Sequence, residues 1–183
     1  RQDSKIDLNR TGTPLLEIVT HPDIRTAAEA KAFLSELKLI LNYIDVSDCN
    51  MQQGNLRCDA NINLHIPLGE EQIATPIVEI KNLNSFRAVE RSITYEAQRQ
   101  FEVWQEHGLT IADAPKQTRG WNDHTQTTTL QREKEDSADY RYFPDPDLNA
   151  VKIEDSQIQQ IESQLEQLPA ELRKLLAEQY NLK

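Results

Sequence analysis

The most informative stretch for the fold is Asn55-Leu-Arg-Cys-Asp-Ala-Asn-Ile-Asn-Leu64, because apolar and polar residues alternate along it. One face would carry Leu56, Cys58, Ala60, Ile62 and Leu64, and the other Arg57, Asp59, Asn61 and Asn63. This alternation predicts a β-strand with one face in a core and the other face wholly polar.

Three further stretches predict strands. Residues 76–81 are rich in branched apolar side chains and follow a predicted hairpin loop at 67–75 around Gly69, so they should lie antiparallel beside the first strand. Residues 14–20 form a similar run that ends at His21-Pro22. Residues 118–131 predict a two-stranded hairpin.

Two long helices are predicted between and beyond these strands. The first covers residues 26–43, where Thr26 and Glu29 form a capping-box pattern and apolar residues recur at helical spacing. The second runs from residue 84 or 85 to 107 and ends at Gly108. Strands combined with two such helices favour an α+β fold with a largely antiparallel sheet and the two long helices packed against it.

The composition changes near the C-terminal end of the chain. Residues 133–147 are dense in charge and predict a short strand at Tyr140–Phe143 that enters a rigid turn at Pro144 and Pro146. Residues rich in Gln, Glu and Leu then predict a helix at 155–166 and another after Pro169. We therefore expect one domain over residues 1–153 and the start of a helical domain over 154–183.

The charge of the chain limits its partners. Its 183 residues include 20 basic and 30 acidic ones, a net charge of -10, which argues against a sequence-independent grip on nucleic acid. No apolar run approaches the roughly 18 residues of a membrane span, so a soluble protein with no membrane partner is expected. Two cysteines, Cys49 and Cys58, favour a reducing compartment and no disulfide.

Three acidic residues lie on predicted strands rather than at loop tips: Glu17, Asp59 and Glu79. Carboxylates of this kind either face solvent or form a site, and Mg²⁺ binds through one or two carboxylates plus water and phosphate. Asp59 is the strongest candidate, because the polar residues of its own strand share its face. The spacing alone does not bring the three together.

Neighbouring polar residues leave alternatives open. Arg57 could contact a substrate or form an ion pair with Asp59 or Glu79 across neighbouring strands. The run that includes Lys81, Asn82 and Asn84 enters a helix start, where a phosphate could bind or an ordinary capping turn could form.

Other reactive residue types give weaker signals. The four histidines, at positions 21, 65, 107 and 124, lack metal-ligand spacing and are interpreted as surface residues. Cys58 falls on the apolar face and is interpreted as a core residue rather than a nucleophile. Tyr140, Tyr142 and Phe143 could stack a base, although packing beneath the proline turn is favoured.

Six stretches in unbroken order carry a resemblance to a known family. They are Asp7-Leu-Asn-Arg-Thr-Gly-Thr-Pro-Leu-Leu-Glu-Ile-Val19, Pro22-Asp-Ile-Arg25, Val46-Ser-Asp48, Asn55-Leu-Arg-Cys-Asp-Ala-Asn61, Glu79-Ile-Lys-Asn-Leu-Asn-Ser85 and Asp139-Tyr-Arg-Tyr-Phe-Pro-Asp-Pro-Asp-Leu148. Over residues 6 to 180 the chain resembles the B subunit of the aspartyl/glutamyl-tRNA(Asn/Gln) amidotransferases.

The resemblance implies a cradle-shaped catalytic domain and an ATP-dependent carbon–nitrogen ligase. That enzyme phosphorylates the side-chain carboxylate of Glu-tRNA(Gln) or Asp-tRNA(Asn) and amidates it with ammonia from glutamine. ATP and Mg²⁺ are the implied cofactors; the implied partners are two further subunits, one a glutaminase and one small, and the misacylated tRNA. Glu17, Asp59 and Glu79 correspond to acidic residues of the family's active pocket, with Arg57, Asn61 and Lys81 as neighbours; these six residues define the candidate site.

The chain also departs from the family's full pattern. The family's N-terminal segment, with a Glu and a His close to the metal, and its tRNA-binding tail are not in these residues, so an internal fragment that is inactive alone is expected. A bacterial cytoplasmic location is favoured, with an organelle as the alternative. Two rival functions are an acidic scaffold that docks partner subunits and an unrelated Mg²⁺-dependent phosphotransferase.

Overall fold

The computed structural model describes residues 5, 7–9, 12–133 and 146–181, and within these it has four helices and six strands. In chain order they are α1 (Ala27–Tyr43), β1 (Ala60–Ile62), β2 (His65–Leu68), β3 (Glu71–Ala74), β4 (Val78–Lys81), α2 (Phe86–His107), β5 (Gln117–Asn122), β6 (Thr127–Glu133), α3 (Asp155–Gln164) and α4 (Pro169–Tyr180). The mixture of helices and a mostly antiparallel sheet confirms the α+β prediction.

The main sheet has the strand order β1-β4-β5-β6. β1 and β4 are antiparallel, as predicted, with Asn61 opposite Glu79. β4 and β5 are parallel, with Glu79 beside Thr118, and this pairing was not predicted. Parallel neighbours need a crossover connection, which α2 provides here. β5 and β6 form the predicted antiparallel hairpin.

The region around residues 55–75 differs from its prediction in two ways. Only Ala60–Ile62 of residues 55–64 form a strand of the main sheet. Residues 67–75, predicted as a loop, instead contain the end of β2 and the whole of β3, which form a separate hairpin. The turn of this hairpin does lie at Gly69, whose φ is +64°. A positive φ is a conformation that glycine adopts without steric cost, so the turn prediction is confirmed.

Both long helices begin and end where the sequence predicts. Thr26 and Glu29 form the complete capping box of α1. In α2 the Ser85 side chain accepts a hydrogen bond from the backbone of Ala88, and Gly108 ends the helix with φ 65°. Short-range signals of this kind need only local hydrogen bonds, which is why they are read correctly from sequence.

The core lies between the two helices and one face of the sheet. Val78, Ile80 and Trp121 of the sheet pack with Leu34 of α1 and Val89 of α2. Since side chains alternate between the two faces of a strand, Glu79 and Lys81 of β4 point away from the helices. The sheet therefore has an outer face on which a site can form.

The prediction of a strand at residues 14–20 is wrong. These residues form neither a helix nor a strand and pair with no strand among the described residues, and Leu15 and Val19 are 89% and 80% exposed. A strand needs backbone partners on a neighbouring strand, and apolar composition alone does not supply them. Glu17 lies on this exposed segment.

The C-terminal helices α3 and α4 confirm the two predicted after residue 154. α4 contacts α1, where Arg173 Nη2 lies 2.7 Å from Glu36 Oε1. Whether residues 154–183 begin a second domain stays a prediction. Tyr140, Tyr142 and Phe143, with the strand and turn predicted there, lie outside the described residues. No helix in the described part is long and apolar enough to cross a membrane.

Candidate functional site

Side chains from three neighbouring strands meet on the outer face of the sheet. We call this group the polar cluster, and it consists of Asp59, Asn61, Glu79, Lys81, Lys116 and Thr118. Four of these six were candidate site residues from the sequence. The pairing of β1, β4 and β5 brings them together.

Lys81 connects the two carboxylates of the polar cluster. Its Nζ donates to Asp59 Oδ2 at 2.6 Å and lies 2.8 Å from Glu79 Oε1. Desolvation lowers the pKa of Lys81, but hydrogen bonds and charges from Asp59 and Glu79 outweigh it and raise the pKa above its ordinary value. Lys81 therefore remains a cation at neutral pH.

Glu79 is the most enclosed acid of the polar cluster, with a side chain only 13% exposed against 48% for Asp59. Its second oxygen, Oε2, receives a hydrogen bond from the Thr118 hydroxyl at 3.3 Å and lies 3.6 Å from Lys116 Nζ. Lys116 also donates to Asn61 Oδ1 at 2.6 Å. The cluster thus joins β1, β4 and the start of β5 through charged side chains.

Two candidate residues lie outside the polar cluster. Arg57 is exposed and its guanidinium lies near the Gly54 turn, and Lys81 is the cation that pairs with Asp59. The ion pair of Arg57 with Asp59 that the sequence left open is not formed. Glu17 is exposed on the unpaired segment, and its part in the site stays a prediction.

The start of α2 is built mainly by capping contacts. Ser85 caps the helix, and Asn82, at φ 67°, donates from its side chain to the Trp121 carbonyl at 2.9 Å. A cavity of about 420 Å³ adjoins this helix start and is lined in part by Asn84, Lys38 and Asp48. Hydrogen bonds from the Asn50 backbone and the Asn55 side chain lower the pKa of Asp48. The hydrogen bond that the Ser85 side chain accepts from the Ala88 backbone confirms the capping alternative at Ser85.

A second polar group lies on the inner side of the sheet, against α2. We call it the buried network; it consists of Thr75, Glu96, Arg99, Gln100, Arg119 and Thr128. Glu96 is fully buried, and its carboxylate accepts hydrogen bonds from Arg99 at 2.6 Å and from Thr128 at 2.8 Å. This network was not predicted, because polar residues in a sequence usually face solvent.

Arg119 links the buried network to the strand that carries Thr118. Its Nε donates to Thr128 Oγ1 at 2.9 Å and lies 3.7 Å from Glu96 Oε2. Desolvation lowers the pKa of Arg119, with a further lowering by the charge of Arg99, while Glu96 raises it. The Glu96 carboxylate therefore offsets part of the desolvation cost of the Arg119 charge.

The cysteines and histidines agree with their predictions. Cys58 packs against the core, and burial, with a contribution from the Asp59 charge, raises its pKa to about 11. A thiol with so high a pKa is a poor nucleophile near neutral pH. Cys49 and Cys58 are both free, and all four histidines are exposed.

Mg²⁺ is the metal that the resemblance implies, and the polar cluster contains oxygen atoms of the type that this ion binds. Asp59, Asn61 and Glu79 offer carboxylate and carboxamide oxygens, the hard ligands that Mg²⁺ prefers, and Mg²⁺ in proteins uses one or two carboxylates beside water and phosphate. Lys81, itself a cation, already lies between the two carboxylates. No group of three His, Cys, Asp or Glu able to hold a metal is found among residues 12–133 and the other described parts.

Lys116 and Thr118 belong to the polar cluster but were missed by the sequence analysis. The alternation of β5 could have placed Thr118 on an outer face. Only the parallel pairing of β4 and β5 puts that face beside Glu79, and the sequence carried no signal for a parallel pair.

One protein-family model matches most of the chain. Residues 1–159 match the model of the GatB/GatE catalytic domain. The chain belongs to this family, and the residues of the polar cluster all lie within the matched catalytic domain.

Similar curated proteins share one name, which describes the B subunit of aspartyl/glutamyl-tRNA(Asn/Gln) amidotransferase. The chain is 61% identical to the protein of Rhodopirellula baltica over 99% of this chain and 36% of the relative. It is 52% identical to that of Borrelia turicatae over 87% of this chain and 33% of the relative. For Carboxydothermus hydrogenoformans the identity is 45%, over 98% of this chain and 36% of the relative. The chain therefore spans about a third of the length of these bacterial relatives.

Proposed function

We propose that the protein containing this chain is the B subunit of a tRNA-dependent amidotransferase, and that the polar cluster forms part of its active site. The observation that carries the proposal is the convergence of two acids and two lysines on one sheet face of a GatB/GatE catalytic domain. The substrates are Glu-tRNA(Gln), Asp-tRNA(Asn) or both. A glutaminase and a small third protein would be its partners in a heterotrimer.

The proposed reaction has two steps. An oxygen of the amino-acid carboxylate attacks the γ-phosphorus of ATP and ADP leaves, which gives an acyl phosphate. Ammonia from glutamine then attacks the acyl carbon, and phosphate leaves as the amide forms. Both steps concentrate negative charge on oxygens, so fixed cations near the reacting groups lower the barrier.

The residues of the polar cluster suit these steps in different ways. Lys81 and Lys116 are ammonium groups that can lie against phosphate oxygens as the charge moves. Asp59, Asn61 and Glu79 would hold Mg²⁺, which when bound neutralises phosphate charge and helps to orient ATP. Asp59, the more exposed acid, is the one that an incoming ligand can reach.

Exchange of Asp59 for asparagine tests this proposal. In the full-length protein assembled with its partners, Asp59→Asn should lower the rate of amidation by about a hundredfold or more, because it removes a charge at the reacting centre while keeping the shape. Glutamine hydrolysis should persist. Amidation is measured as the conversion of Glu-tRNA(Gln) to Gln-tRNA(Gln).

Asp45→Asn provides the matched control. Asp45 is exposed and has φ 56°, a conformation that asparagine tolerates. Normal amidation by Asp59→Asn together with weaker assembly of the complex would favour the scaffold alternative. Phosphate transfer to a small metabolite without tRNA or partner proteins would favour the phosphotransferase alternative. The bacterial cytoplasm as the site of the reaction stays a prediction.

A further inference from the structure

Glu79 is held more firmly than any other acid of the polar cluster. Its two carboxylate oxygens have separate contacts, Oε1 with Lys81 at 2.8 Å and Oε2 with Thr118 at 3.3 Å and Lys116 at 3.6 Å. A glutamate side chain has several rotatable bonds, and it loses this rotational freedom where contacts hold both oxygens of its carboxylate. Glu79 is therefore a fixed point around which the cluster is arranged.

Thr118 is the buried member of this arrangement. The residue is 1% exposed, so it cannot reach a ligand that approaches from solvent. Its hydroxyl donates to Glu79 Oε2. A β-branched residue on a strand also has few rotamers, so its hydroxyl direction follows from the backbone.

The backbone at Thr118 is itself fixed by an irregularity of the sheet. The register of β5 against β6 shifts between Thr118 and Arg119, where Leu130 faces Arg119 and Arg132 faces Thr118, so Gln131 is the extra residue of a bulge. Bulges redirect side chains and occur often beside active sites. Here the bulge separates Arg119, which enters the buried network, from Thr118, which enters the polar cluster.

We infer that Thr118 is a positioning residue that fixes the orientation of the Glu79 carboxylate, with Lys116 as a second support from the solvent side. The inference rests on the proposed function, in which Glu79 is part of the active site. Thr118 acts only through Glu79. Its position is set in turn by Arg119, whose contacts with Thr128 and Glu96 lie on the other side of the sheet.

The test compares Thr118→Val with Thr118→Ser in the full-length protein and its complex. Valine keeps the shape and removes the hydroxyl, whereas serine restores the hydroxyl. We expect Thr118→Val to lower kcat for amidation on the order of ten- to a hundredfold, since a misplaced group loses reaction geometry. KM for ATP should stay within about twofold, and serine should recover most of the rate.

A second measurement does not depend on turnover. The affinity for Mn²⁺, measured by electron paramagnetic resonance, should weaken about tenfold in Thr118→Val, because Thr118 orients the Glu79 side chain that would bind the metal. Thr118→Ala also removes the hydroxyl, with a smaller side chain at this buried position, and should lower kcat in the same direction, so the inference remains testable if the valine variant does not fold. Thr94→Val, at an exposed hydroxyl bonded to the Glu90 carbonyl, is the matched control.

The outcomes separate the inference from the proposed function. Wild-type kcat and Mn²⁺ affinity in both Thr118→Val and Thr118→Ala, with amidation lost in Asp59→Asn, would overturn the positioning role alone. Equal losses in Thr118→Val and Thr118→Ser would also overturn it, because packing rather than the hydroxyl would then matter. Amidation retained by Asp59→Asn would overturn the proposed function and this inference with it.

Discussion

At the scale of single residues, Glu96 has the most demanding environment in the described part of the chain. A fully buried carboxylate is tolerated only when ion pairs and hydrogen bonds replace water, and Arg99, Gln100, Thr128 and Arg119 do so here. No buried side-chain nitrogen or oxygen within the described residues lacks a hydrogen-bond partner. Loss of Glu96 would therefore remove a partner from each of these four residues.

Glu96→Ala should destabilise the protein by about 3–5 kcal/mol, because it leaves two partly buried arginine charges without their buried partner. Glu102 lies on the same helix but is exposed. Glu102→Ala should therefore change the free energy of unfolding by less than about 0.5 kcal/mol. Hydrogen exchange of the α2 amides in the full-length protein measures both. Equal exchange rates in the two variants would contradict a stabilising role for the network.

At the scale of elements, the caps of the helices decide where those helices begin. Ser85 accepts from the Ala88 backbone at 3.0 Å and caps α2, whereas Ser35 sits inside α1 and donates to the Lys31 carbonyl at 2.8 Å. The same residue type therefore has opposite effects at the two positions. A cap satisfies an unpaired backbone N–H, but a mid-helix serine only competes with the helix.

Ser85→Ala should lower the free energy of unfolding by about 1 kcal/mol. Ser35→Ala should leave it unchanged or raise it slightly, since alanine has the higher helix propensity. Urea denaturation followed by far-UV circular dichroism gives both values. A larger loss for Ser35→Ala than for Ser85→Ala would show that the cap is not what stabilises the start of α2.

The elements also show what a sequence can and cannot predict. The helix ends at Thr26 and Gly108 were predicted correctly, because capping and left-handed turns depend on a few adjacent residues. The strand predicted at residues 14–20 was wrong, because strand formation depends on a distant partner. Asp59 and Asn61 were found from the alternation of their strand, Glu79 from its place in an apolar run, and Lys81 from the family resemblance. Thr118 required the β4–β5 pairing.

At the scale of the whole molecule, the net charge of -10 limits how this chain alone can contact tRNA. Affinity for nucleic acid comes largely from basic groups that replace counterions at phosphates. The lysines of the polar cluster are already paired with acids, so they add little free positive charge. Most of the binding energy for tRNA would have to come from the remainder of the full-length protein.

The isolated 183-residue chain should therefore bind tRNA no more tightly than about 10⁻⁴ M at physiological salt, the weak end of non-specific binding. The full-length protein should bind far more tightly. Filter binding at several salt concentrations compares the two, with circular dichroism as the check that the isolated chain is folded. Tight binding by the isolated chain, with a steep salt dependence, would contradict this prediction.

The parallel pairing of β4 and β5 also determines when the polar cluster can form. Thr118 lies 39 residues after Glu79, and Lys116 lies 55 residues after Asn61, with the whole of α2 between the two strands. Contacts between distant residues form slowly, because a long loop must close before they contribute. During synthesis, a chain that has emerged only as far as residue 115 holds Asp59 and Glu79 without Lys116 or Thr118. The cluster can therefore be completed only after α2 has emerged and β5 has paired beside β4, which makes it a late product of folding.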